Sequence, residues 1–154
     1  DFKNQTRIIL GGTRKGTNKL RQIYGLVFPK AHIIKTGSIT AEMIKYLTNT
    51  FLSTKVSFAN EMYLICEKLG IDYDKVVEYA TLDDRLGVTH WNVPGPDGDY
   101  GFGGHCFPKD LQALLSICDY YDLDSDVLRG TVHTNNKVRK DRDWEKMKGR
   151  AVVE

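Results

Sequence analysis

The chain has 154 residues, of which 41 % are hydrophobic and 27 % charged, the profile of one ordinary globular domain. A net charge of only +2 leaves no electrostatic footprint for nucleic acid or an anionic membrane. No apolar run approaches the ~20 residues of a membrane span.

The first elements read as β/α. Arg7-Ile8-Ile9-Leu10, closed by Gly11-Gly12, predicts a short buried strand. A helix is expected over Thr17 to Tyr24 and a second strand over Ala31 to Lys35. From Ser38 to Leu69 there is neither Gly nor Pro. Met43, Leu47, Phe51, Phe58, Met62 and Ile65 recur at helical spacing and predict one helix of ~30 residues, ~45 Å long. Ser38 or Thr40 is the expected cap, Glu42 suits the first turn, and Gly70 suits the stop. Asp72 is expected to cap a shorter helix through Val76, Val77 and Ala80. Gly87 to Gly104 is rich in Gly and Pro and predicts a long loop, a length usually tied to function. Pro108 is placed at the first position of the next helix, whose apolar face is Leu111, Leu114, Leu115 and Cys118. Ser125 is expected to cap a last helix carrying Val127, Leu128, Val132 and Val138. Arg150-Ala151-Val152-Val153 reads as a strand beginning.

Three cysteines, Cys66, Cys106 and Cys118, stand far apart with no C-x-x-C pair. The odd count predicts free thiols in a reducing compartment, hence a cytoplasmic protein. Only Cys106 has a reactive setting, in Gly101-Phe102-Gly103-Gly104-His105-Cys106-Phe107-Pro108-Lys109-Asp110. A sulfur just before a helix N-terminus meets unpaired N–H groups and the positive end of the helix dipole. Lys109 adds a cation, and both effects favour the thiolate. Asp110 can orient a water or exchange a proton. The glycines permit unusual dihedrals and close ligand approach. Cys66 and Cys118 read as core residues.

Lys45 and Asn49 share a helix face by their i,i+4 spacing. They suit either solvent or an oxyanion, and Asn60 on the same stripe reads as structural. Arg85, in Leu82-Asp83-Asp84-Arg85-Leu86-Gly87, suits a surface ion pair with a neighbouring Asp or a ligand phosphate. Two glycine runs are set aside. Gly11-Gly12-Thr13-Arg14-Lys15-Gly16-Thr17 lacks the Lys-Ser/Thr ending of a phosphate loop. Gly101-Phe102-Gly103-Gly104 has Cys106 where a dinucleotide fingerprint needs its third Gly. His32, His90, His105 and His133 have no metal-ligand spacing, so no metal is expected.

Three stretches together resemble the UDP-glucose/GDP-mannose dehydrogenase family. They are Ala41 to Asn49 continuing through Phe58-Ala59-Asn60-Glu61, Asp83 to Gly87, and Gly101 to Asp110. The resemblance implies NAD-dependent oxidation of the C6 hydroxyl of a nucleotide sugar to a carboxylate, in two steps through a thiohemiacetal and a thioester on Cys106. UDP-glucose is the first expectation for the sugar, with GDP-mannose or a UDP-N-acetyl sugar next. By the same resemblance Lys45 and Asn49 steady the oxyanion and the water, and Asp110 assists proton transfer. Lys109 touches the nicotinamide nucleotide, and Arg85 reaches the partner subunit's substrate. Asp99, Tyr100, Gly101, Phe102 and Gly103 wrap the sugar nucleotide.

The fold class expected is mainly α: a helical central and dimerisation domain over 38–147, homodimeric through the 38–69 helix. It would follow a small α/β remnant of a Rossmann-type NAD-binding domain over 1–37 and precede the start of a truncated UDP-binding domain at 148–154. The opening Asp1-Phe2-Lys3-Asn4-Gln5, without Met or leader, reads as a cut through a longer chain. Neither a glycine fingerprint nor the family's catalytic Glu is found, so these residues alone are expected to bind NAD poorly and turn nothing over. Two other classes are weighed. One is a cysteine hydrolase using Cys106, which needs His105 or His133 as a base within hydrogen-bond reach and an orienting group; His105 is expected to be badly placed because neighbouring side chains diverge. The other is a non-catalytic dimerisation module.

Overall fold

The computed structural model describes residues 5–147, so the strand and further domain expected at the C-terminus lie outside the described residues. The order is β1 (Arg7–Gly11), α1 (Arg14–Val27), β2 (His32–Thr36), α2 (Ser38–Leu69), α3 (Tyr73–Ala80), α4 (Cys106–Tyr120), α5 (Asp126–Val138) and a short 3-10 turn at Asp143–Lys146. The chain is mainly helical, as expected. Packing divides it into two compact units between Leu47 and Thr48, within α2.

In the first unit β1 and β2 pair in parallel, with registers running from Arg7 with His32 to Gly11 with Thr36, and α1 makes the crossover that parallel strands require. Thr13 caps α1, its hydroxyl accepting the Gly16 N–H at 3.3 Å. Leu10 and Phe28 are buried. Gly11 is needed for packing: a Cβ there would stand 2.6 Å from Ala41 Cβ.

The second unit carries the rest of α2 and everything after it. The long helix has the predicted bounds, but its start differs in detail. Ser38 is its first residue, so Ser38 and Thr40 lie inside the first turn rather than capping it, and Glu42 falls beyond that turn. Its end is a Schellman motif: Ile71 N–H reaches Cys66 O at 2.9 Å and Gly70 N–H reaches Glu67 O at 3.2 Å, with Gly70 at φ 69°. Glycine takes that left-handed position without a Cβ penalty.

The apolar stripe that identified α2 is not its buried face. Met43, Leu47, Phe51, Phe58 and Ile65 are all exposed. The buried side is small and mostly polar, with Thr50, Ser53, Ser57, Ala59, Asn60 and Cys66. Short side chains let α5 approach closely. Ser57 Oγ donates to Thr131 O at 2.9 Å, Thr131 Oγ1 donates to Thr54 Oγ1 at 2.9 Å, and Thr134 Oγ1 donates to Glu61 Oε1 at 2.6 Å. A larger aliphatic set would hold the helices apart, so hydrogen bonds replace part of the apolar seam.

Ala59, Cys66, Tyr73 and Val93 form a small core with Met62, Tyr63, Val77, Trp91 and Tyr100 packed around it. Asp72 caps α3 by accepting the Lys75 N–H at 3.3 Å, as predicted. Leu111 and Leu115 bury the expected face of α4, each contributing about 1.5–3 kcal/mol. One expectation for α5 is corrected. Ser125 occupies the cap position but makes no capping bond, and its Oγ is buried without a hydrogen-bond partner. Val127 is 70 % exposed, since Thr131, Thr134 and Asn135 take the inward positions.

Candidate active site

Residues 81–105 form no regular element, and this stretch delivers the chain to α4. That helix begins at Cys106, two residues earlier than Pro108 suggested. Pro108 therefore sits in the third helical position, where its missing N–H is one of the four that have no intrahelical acceptor. Lys109 N–H makes the first turn's bond to His105 O at 3.2 Å. Cys106 is thus inside the first turn and exposed, while Cys66 is buried and Cys118 half-buried. His105 does not diverge from it as expected: its Nε2 lies 3.4 Å from Cys106 Sγ.

One turn further on, Asp110 is fully buried. Asn49 Nδ2 donates to its Oδ2 at 2.5 Å, and Lys109 Nζ donates to its Oδ1 at 2.5 Å. Three of the expected site residues, from two helices, therefore form one hydrogen-bonded group. Lys45 lies on the part of α2 that belongs to the first unit, its ammonium 5.7 Å from the Tyr46 ring centre. Arg85 is exposed, and Asp83 holds it through both carboxylate oxygens, with Nε at 2.9 and 3.0 Å. The Arg85 hydrogen bonds hold the Asp83 carboxyl below its ordinary value. This is the surface ion pair weighed from the sequence.

A cavity of about 590 Å³ opens beside the loop, lined by Gly101, Phe102, Gly103, His90, Asn92 and Phe107 among others. Its apolar walls with a few polar groups are of the kind small ligands use. Burial, then the Lys55 ammonium, pushes the His90 imidazole below its ordinary value. Asp99 and Tyr100 turn elsewhere. Tyr100 packs on Tyr63 at 5.7 Å. Asp99 accepts the N–H groups of Asp141 and Lys140 at 3.0 and 3.2 Å. These bonds, with that from Tyr100 N–H, hold its carboxyl low.

The loop is fixed by side chains that the sequence did not single out for the site. Arg139, buried at the end of α5, donates to Asp97 Oδ2 at 2.7 Å and to Asp141 O at 2.8 Å, with Asp99 at 3.6 Å and Asp143 at 3.7 Å. Burial raises the Asp97 carboxyl, but the Arg139 and Asp99 N–H bonds outweigh it and leave it lowered. Gly104 N–H donates to Asp143 at 3.0 Å. Four acids in two i,i+2 pairs, Asp97/Asp99 and Asp141/Asp143, are the signal that a shared cation was required. Lys55 anchors the loop's start by donating to Leu86 O and Gly87 O at 2.8 and 3.0 Å, and its Nζ stands 4.6 Å from the Trp91 ring centre.

The central-domain model of the UDP-glucose/GDP-mannose dehydrogenase family matches residues 39–137. This chain belongs to that family. A UDP-glucose 6-dehydrogenase of Rickettsia bellii is 41 % identical over 139 residues, covering 89 % of this chain and 31 % of the relative. The Bacillus subtilis UDP-glucose 6-dehydrogenase TuaD is 38 % identical over 141 residues, 90 % of this chain and 29 % of its own. A solved UDP-glucose dehydrogenase from the hyperthermophilic archaeon Pyrobaculum islandicum superimposes with a TM-score of 0.80 at 33 % identity, over 89 % of this chain and 30 % of that one. The chain thus spans about 30 % of the length of the relatives it matches. The matched range includes Asn49, Cys106, Lys109 and Asp110. Among the described residues, no helix is long and apolar enough to cross a membrane.

Proposed function

We propose that this central domain supplies the covalent nucleophile for oxidation of a nucleotide sugar at C6, with UDP-glucose as substrate. The observation that carries the reading is the placement of Cys106. It is an exposed thiol in the first turn of α4, at the exit of a glycine loop beside a cavity, one turn from a buried carboxylate held by Asn49 and Lys109. An accessible sulfur at the positive end of a helix is suited to nucleophilic attack. The names of its relatives favour UDP-glucose over GDP-mannose or a UDP-N-acetylhexosamine.

Cys106 Sγ adds to the C6 aldehyde, giving up its proton as the carbonyl oxygen becomes the hydroxyl of a thiohemiacetal. After the second oxidation, water adds to the thioester carbon and sulfur leaves with a proton. Lys45 and Asn49 stabilise the oxygen anion of these steps. Asp110 takes and returns the proton of the attacking water. Gly101, Phe102 and Gly103 wall the sugar nucleotide, with Asp99 and Tyr100 behind them. Arg85, released from Asp83, reaches the substrate of a second copy, and the exposed face of α2 pairs the two copies.

NAD would accept the hydrides. The described residues do not fit it as a binding site of their own. The β1–α1 turn is Gly11-Gly12-Thr13 with Thr13 occupied as a cap, it lacks the dinucleotide fingerprint, and Lys109 is engaged by Asp110. No hydride step is therefore assigned to these residues, and NADH formation from UDP-glucose by this chain alone is expected to be undetectable.

The reading is tested by the UDP-hexose whose C6 is already an aldehyde. It should slow iodoacetamide labelling of Cys106, followed residue by residue with mass spectrometry, while UDP alone protects less. Equal labelling rates with and without the aldehyde would sink the proposal.

A further inference from the structure

Two asparagines occupy buried positions that no step of the proposed chemistry uses. Asn60, on α2, is 1 % exposed and Asn135, on α5, is 2 % exposed. A buried amide side chain must find partners for both its oxygen and its nitrogen. Asn60 Oδ1 accepts the Gly101 N–H at 3.1 Å while its Nδ2 donates to Val56 O at 2.9 Å. Asn135 Oδ1 accepts the Phe102 N–H at 2.7 Å, and its Nδ2 donates to Phe102 O at 3.1 Å. Asn135 thereby satisfies both backbone groups of one loop residue, as a neighbouring strand would.

The fit leaves no slack. Gly101 has φ 67°, and a Cβ there would lie 2.2 Å from Asn135 Oδ1. A Cβ on Gly103 would lie 2.2 Å from Arg139 Nη2. The held residue connects directly to α4, because the Phe102 ring stands edge-on to Phe107, 5.8 Å between centres, and Phe107 follows Cys106.

We infer that Asn135, with Asn60, is a positioning residue: it fixes the Gly101–Phe102 backbone in one conformation before any ligand arrives, so that the cavity wall and the Cys106 turn are preformed. The inference rests on the proposed role of the site. A loop ordered only on binding would charge its ordering entropy against affinity, and a loop already held does not.

Two variants break the same contact from opposite sides. Asn135→Ala removes the side chain, and Gly101→Ala pushes it away without altering α5. In the wild type the Phe102 amide is expected to exchange with solvent at least about a hundredfold more slowly than an unprotected loop amide. In each variant that exchange should rise about tenfold, the loss of one to two hydrogen bonds, while exchange in the buried part of α2 around Ala59 stays constant. The aldehyde concentration that half-protects Cys106 from iodoacetamide should rise about tenfold as well. Buried Cys66 serves as the internal reporter, since its labelling rises only if the whole unit opens. A purely structural role would speed Cys66 labelling and leave the half-protecting concentration unchanged. An unprotected Phe102 amide in the wild type, measurable even if neither variant folds, overturns the inference. So does unaltered protection in a folded variant, which leaves the role of Cys106 standing. Failure of the aldehyde to protect Cys106 in the wild type instead removes the reading of the site, and this inference with it.

Discussion

Asn49 and Asp110 lie 61 residues apart in sequence, yet the Asn49 amide donates to the Asp110 carboxylate at 2.5 Å, with Lys109 on its other oxygen. The bond joins α2 to the first turn of α4. Asp110 is fully buried, whereas the Lys109 side chain is 35 % exposed, so water shares in solvating the ammonium and the ion pair is discounted accordingly. Asp110→Ala removes the carboxylate that accepts from Asn49 and Lys109 and is expected to cost about 2–3 kcal/mol. Asp110→Asn keeps the shape and should cost less, about 1–2 kcal/mol. Urea unfolding checks both. A cost below a few tenths for the alanine variant would mean the carboxylate holds nothing in place.

The long helix, its glycine stop, the Asp72 cap and the loop before Cys106 were legible in the sequence because each rests on local chemistry. The direction in which α2 faces was not. Periodicity locates an apolar stripe but does not say whether this chain or another covers it, and here the chain covers the stripe of Ser53, Ser57 and Asn60 instead. Pro108 does not fix the start of α4, because a missing N–H is tolerated throughout the first turn, where it has no intrahelical acceptor. Asn135 and Arg139 escaped notice because a buried polar residue on a helix looks like a surface one until its partners, here Phe102 and the two acidic pairs, are brought to it by the fold.

Tyr73 connects α3 to the loop, its hydroxyl donating to Trp91 O at 2.8 Å. Burial, followed by nearby Cys66 and Asp74, pushes its phenol from 10.0 up to about 12. The folded state therefore keeps a proton that the unfolded chain releases near pH 10, so this contribution is whole below pH 10 and is lost as pH rises towards about 12. Stability should fall by up to about 1.4 kcal/mol per pH unit across that window. Tyr73→Phe should remove this slope while costing about 1 kcal/mol at neutral pH through the lost hydrogen bond. Melting curves between pH 8 and about 12 decide the matter, and equal slopes in the two proteins would contradict the assignment.

The end of α4 is also a Schellman motif. At the end of α4, Leu123 N–H reaches Cys118 O at 2.9 Å and Asp122 N–H reaches Asp119 O at 3.3 Å, with Asp122 at φ 53° where α2 has Gly70. An L-residue there bears about 1–2 kcal/mol of strain, and a carboxylate is poorly matched to the negative end of a helix. Glycine gives back about 0.5–1 kcal/mol in chain entropy. Asp122→Gly should therefore stabilise the chain by about 0.5–1 kcal/mol, and Gly70→Ala, whose Cβ would meet nothing within 4 Å, should destabilise it by about 1–2 kcal/mol. Opposite signs for the two changes, read from urea midpoints, are the expected result.

Phe51, Phe58 and Ile65 stand seven residues apart on α2 and are 65 %, 51 % and 49 % exposed. A seven-residue repeat of apolar groups keeps one seam of a helix towards a partner helix over several turns. Such a seam left in water is the kind of surface that self-complementary interfaces cover. If a second copy covers it, each buried side chain contributes about 1.5–3 kcal/mol, and a two-fold arrangement counts every residue twice. Phe51→Glu then places a charge in the seam of both copies and should turn a dimer into a monomer, as light scattering would show by a halved mass. Val127, equally apolar and 70 % exposed but on α5, is the control, and Val127→Glu should leave the mass unchanged. A wild-type chain that stays monomeric at high micromolar concentration, or a Phe51→Glu variant that keeps the wild-type dimer mass, would assign that seam to something other than a second copy.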